Sequence, residues 1–82
     1  MPLRDHMRLV WRAPYKGVMR LRVVTWTCDC RSTLYELCQA GGQAFIRRTL
    51  RHKDATQVHE TYRWSIREAD DVWRALLSGE AR

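Results

Sequence analysis

The sequence predicts an α+β fold: an antiparallel β-meander of four to five strands, followed by one C-terminal α-helix packed on one sheet face. Three observations carry this expectation. Runs rich in β-branched and aromatic residues recur between turn-forming residues up to Trp64. Two adjacent glycines, Gly41-Gly42, separate two strand-length runs. After Trp64 the apolar spacing lengthens from two residues to three and four.

The first strand is expected at about 7-13, around RLVWR, and Pro14 and Gly17 punctuate the turn after it. The second, at about 18-28, reads VMRLRVVTWTC, in which Arg20, Arg22, Val24 and Trp26 alternate with Met19, Leu21, Val23 and Thr25. A polar turn from Asp29 to Ser32 leads to a third strand at about 33-40, TLYELCQA. Gly41-Gly42 tolerate the positive φ angles of a primed two-residue turn, so a fourth strand at about 43-52 folds back on the third. That turn sets Leu37 opposite Ile46, Tyr35 opposite Arg48 and Cys38 opposite Phe45. A phosphate loop is excluded, because no Lys-Ser/Thr, no G-x-G-x-x-G and no following helix accompanies the glycines.

A bend centred on Asp54-Ala55 leads to a fifth strand at about 57-64, with Phe45 against Trp64 and Arg47 against Tyr62. Ser65-Ile66-Arg67-Glu68 is a capping box and opens a helix at about 66-78. Ile66, Ala69, Val72, Trp73, Leu76 and Leu77 recur on one helix face, and Gly79 ends the helix.

These turn lengths sort the side chains. Leu34, Cys38, Phe45 and Trp64 are expected to face the helix, with Glu36 and Arg47 at its rim. Tyr35, Leu37, Ile46 and Arg48 face the other way. A two-residue bend at Cys30-Arg31 adds Arg20, Arg22, Val24 and Trp26 to that open side, with Trp26 opposite Tyr35. One more residue in that loop sends Trp26 and the two arginines to the helix side.

At 82 residues the chain is one small domain, 1-82, near the size where a single core barely offsets chain entropy, so a homodimer or a partner protein is expected. No apolar run reaches membrane-span length and no signal peptide opens the chain, so the expected compartment is cytoplasmic. The net charge of +6 rests on 13 arginines and two lysines, a balance that favours planar forks to phosphate or carboxylate. Residues 68–82 carry two basic and four acidic side chains, so an anion-binding face is expected outside that segment.

The three cysteines read as reduced thiols, with Cys38 a small core residue. Cys28 and Cys30, with His52 and His59, lack knuckle spacing, so no metal is expected. No cofactor is expected either, and no enzyme signature is present; Asp70-Asp71 complement a helix N-terminus.

An open sheet face of arginines interleaved with Trp and Tyr matches what single-stranded DNA or RNA binding requires: guanidiniums for phosphates and rings on which bases stack. The expected contact residues are Arg20, Arg22, Trp26, Tyr35, Arg47, Arg48 and Arg51. Two alternatives stay open. Trp26 and Tyr35 serve equally as core or dimer packing, and Arg47, Arg48 and Arg51 as a solvated edge that discourages aggregation. The rival function is a non-enzymatic interaction module docking on an acidic surface of a larger protein complex.

RLRVVTW (residues 20–26) with TLYEL (33–37), and YRWSIREADDVWRALL (62–77), resemble the positive-cofactor-four-like single-stranded DNA-binding transcriptional coactivators. The resemblance is in pattern, over about 60 of the 82 residues, and CDCRS replaces that family's short glycine turn. It implies transcription regulation, a curved antiparallel sheet whose face touches DNA through Arg20, Arg22, Trp26, Tyr35 and Arg48, and helix residues Val72, Trp73 and Leu76 as dimer contacts.

Overall fold

The computed structural model describes residues 8–14, 21–27 and 32–79. It shows an antiparallel sheet followed by one C-terminal helix packed on it. The strands are β1 (Arg22–Trp26), β2 (Thr33–Ala40), β3 (Gln43–His52), β4 (Ala55–Glu60) and the two-residue β5 (Trp64–Ser65). The helix, α1, is Ile66–Leu77. Spatial order follows chain order from β1 to β4, and β5 returns to pair with β3 beyond the end of β4.

The β2–β3 hairpin has the expected register, with Leu37 opposite Ile46, Tyr35 opposite Arg48 and Cys38 opposite Phe45. Gly41 and Gly42 make its turn at φ of 59° and 78°, a region that a Cβ disfavours. The β3–β4 turn lies one residue earlier than expected. Lys53 takes the left-handed conformation (φ 53°), His52 pairs with Ala55, and Arg47 therefore faces Glu60 instead of Tyr62. Parity survives, because the register moves by two.

Two irregularities then decide the faces. Between Val23 and Thr25 the β1–β2 register slips by one, so Val23 pairs with Cys38 and Trp26 pairs with Glu36. Trp26 thus stands opposite Glu36, not Tyr35, whereas Arg22 keeps its expected partner Gln39. The second irregularity follows Glu60. The Thr61 amide donates to the Ile46 carbonyl at 3.0 Å, but the Ile46 amide donates to the Thr61 hydroxyl, also at 3.0 Å. The hydroxyl stands in for a backbone acceptor, the chain carries one extra residue, and Trp64 arrives opposite Ala44.

That extra residue overturns the expected placement of the helix. Trp64 joins the side of Leu37, Ala44 and Ile46, and α1 packs there, burying Ala69, Val72 and Trp73 with those three. Cys38, Ala40 and Phe45 form a separate buried cluster on the opposite face, with Val23 packed against it. The sheet is therefore apolar on both sides. Ser65 caps α1, its hydroxyl accepting from the Glu68 amide and donating to the Glu68 carboxylate. Gly79, at φ 84°, follows the last turn.

The expected first strand is reduced to one bridge, in which Arg12 and Glu60 exchange two backbone hydrogen bonds of 2.8 Å. Back along β4 the next hydrogen-bonded position would fall on Pro14, which has no N–H to donate. Residues 18–20 of the expected second strand lie outside the described residues.

Candidate nucleic-acid interface

The face opposite the helix carries a row that crosses the whole sheet: Trp26, Glu36, Arg47, Glu60 and, through the bridge, Arg12. Arg47 Nε donates to Glu36 Oε1 at 2.9 Å. Burial works against the Arg47 charge, but the hydrogen bond to Glu36, with the charges of Glu36 and Glu60, outweighs it and raises the pKa above the usual guanidinium value. Arg47 is thus committed to carboxylates. Trp26 ends the row 62% exposed, a solvent-facing indole beside an acid.

The helix side is different. Here α1 packs against β2, β3 and β5 and does not reach β4, so the far half of this face lies beyond the helix. Its first row is Tyr35, Arg48 and His59, one residue from each of β2, β3 and β4. Trp11 lies against that row, its ring centroid 6.0 Å from that of Tyr35, and the Arg48 guanidinium carbon sits 4.3 Å from the Trp11 ring centroid. Arg48 Nε and His59 Nδ1 are shielded yet have no hydrogen-bond partner. Stacking orients a guanidinium while leaving its in-plane N–H groups to donate sideways, the geometry that grips a phosphate or carboxylate.

Beyond this row the β3–β4 hairpin projects past the start of β2, which pairs no further than Thr33 with Leu50. Arg51, His52 and Lys53 are exposed there. The Arg51 amide donates to the Ser32 carbonyl at 2.8 Å, which anchors the base of the projection.

The expected contact residues are therefore divided. Tyr35 and Arg48 come together, whereas Arg51, opposite Thr56 on the adjoining hairpin, falls on the face of Arg47. Arg22 is on the sheet face of Tyr35 and Arg48 but near the Gly-Gly turn, on the order of 20 Å along the strands from Arg51. Trp26 and Arg47 occupy the opposite face, and Arg20 lies outside the described residues. Val72 and Trp73 belong to this chain's own core, and Leu76 packs half-buried against it.

Trp11 and His59 were not among the expected contacts. Trp11 reaches the site through a non-local bridge, and His59 through a turn whose position depends on a lysine in the left-handed region; neither leaves a sequence signal. Among the described residues no group of three metal-ligating side chains occurs, and no helix is long and apolar enough to cross a membrane. Cys28 and Cys30 lie outside those residues. No protein-family model, curated protein or solved structure matches the chain.

Proposed function

We propose that this protein binds single-stranded nucleic acid, without catalysing a reaction, through the part of the helix-side sheet face that α1 leaves uncovered. The observation that carries the reading is the Arg48 guanidinium laid on Trp11 and flanked in its row by Tyr35 and His59. An oriented guanidinium supplies phosphate donors, and Tyr35 supplies a ring on which a base stacks. Lys53 at the tip of the projecting hairpin extends the positive surface.

This moves the interface from the one the alternation of residues suggests. Trp26 and Arg47 are not contact residues in the revised reading, because the first faces away from Arg48 and the second is paired with Glu36. A role in transcription regulation and assembly as a homodimer remain part of the proposal. Exposed Tyr62, Ile66 and Leu77 supply apolar surface for a second copy.

The rival reading, docking on an acidic protein surface, is favoured by exposed Trp26, Val24 and Leu21, which phosphate binding does not require. One titration separates the two. Binding of a 20-mer oligo(dT) is followed by tryptophan fluorescence at several salt concentrations, with an acidic polypeptide as competitor. Arg48→Ala should lower the slope of log K against log salt by about 0.7, the value for one single-strand phosphate contact. Arg74→Ala, which breaks only the exposed pair with Asp70, should leave it unchanged. Absence of oligonucleotide binding at low salt, or displacement by the acidic polypeptide at lower concentration than by single strands, defeats the proposal.

A further inference from the structure

The uncovered face ends in a pocket of about 300 Å³ lined by Ser32, Leu50, Arg51, His52, Ala55 and Gln57. Leu50 and Gln57 pair directly and form the row next to Arg48 and His59, one pleat repeat or roughly 7 Å further along the strands. The volume sits at the lower limit of small-ligand pockets, enough for one compact ring and too little for a lipid or an oligosaccharide.

The lining restricts the ligand further. No carboxylate contributes to it, so an amine or a metal cation finds no charge partner there. Leu50 and Ala55 provide apolar contact, His52 offers a flat aromatic ring, and Ser32 a hydroxyl. Gln57 presents a donor and an acceptor in one plane, the pattern that reads the adjacent donor and acceptor on a nucleobase edge.

Resting on the function proposed above, we infer that this pocket holds one unstacked nucleobase of the bound strand. Gln57 reads its edge and His52 stacks on its face. The pocket supplies base preference, while Arg48 supplies sequence-independent grip.

The test uses the full chain and four 12-mer homopolymers, dA, dC, dG and dT, titrated at fixed low salt. The expected result is a spread of at least about tenfold between the best and worst base, as a bidentate contact provides. In Gln57→Leu the spread should fall to within about twofold, while binding of the worst base changes little. Gln57 is exposed, so the variant should fold, and its circular dichroism spectrum checks this. Equal binding of all four homopolymers overturns the pocket and leaves the function standing. A spread that persists in Gln57→Leu overturns it too. Absence of binding to any strand removes both.

Discussion

Thr61 decides which side of the sheet the helix covers, and replacing it tests that reasoning. Thr61 is buried, and its hydroxyl is the acceptor for the Ile46 amide at 3.0 Å while donating to the Tyr62 carbonyl at 2.9 Å. Thr61→Val keeps the shape and the methyl contacts but leaves a buried amide without an acceptor. The cost of such an orphaned donor is about 1–3 kcal/mol. For a domain of this size, about 2 kcal/mol corresponds to a melting temperature roughly 8–16 °C lower.

Thr61→Ser is the matched control. It keeps the oxygen and loses one methyl, worth about 0.8 kcal/mol, so it should melt between the wild type and Thr61→Val. Urea denaturation followed by circular dichroism gives both values. A Thr61→Val midpoint equal to that of the wild type, or a Thr61→Ser variant less stable than Thr61→Val, would refute the claim that this hydroxyl completes the ladder.

Two other outcomes follow from the same structure. Ser65→Ala removes both hydrogen bonds of the cap and should destabilise the domain by about 0.5–2 kcal/mol, read as a lower urea midpoint, whereas Ser65→Thr, which keeps the hydroxyl, should retain most of the wild-type value. Burial pushes the Cys38 thiol up to about 11, with Arg47 pulling it down and Glu36 and Glu60 pushing it further up. Its folded pKa lies above the ordinary thiol value of 9.0, so the associated stability is complete below pH 9 and is lost as pH rises towards 11. At pH 8 a thiol reagent should leave Cys38 unmodified in the native protein and label it on unfolding, as site-resolved mass spectrometry would show.

The legible parts of the fold are those written in neighbouring residues. Gly41-Gly42 announce a two-residue turn, and the hairpin around them has the register that turn implies. Ser65 and Glu68, three apart before an apolar stripe, announce the helix start. The illegible parts depend on distant partners. Nothing near Val24 marks the register slip in β1, and nothing near Thr61 shows that its hydroxyl meets Ile46, 15 residues back. Each slip reverses which residues share a side, so side assignments drawn from alternation failed for Trp26 and Trp64 even where the strands themselves were identified. The candidate site was half legible for the same reason. Tyr35 and Arg48 are joined by the glycine turn, but Trp11 and His59 reach them through tertiary structure.

The ionic row of Glu36, Arg47 and Glu60 also restricts how the strands can slide. In a sheet greasy on both surfaces sidedness alone does not tell one alignment from another displaced by a full pleat, so the ion pair reinforces the offset that the glycine turn sets. Such a displacement between β2 and β3 would set Glu36 against Phe45 or Thr49, stranding its carboxylate and leaving Arg47 with Glu60 alone. A pair of little value as an adhesive thus works as a latch, locking the strands at a single offset.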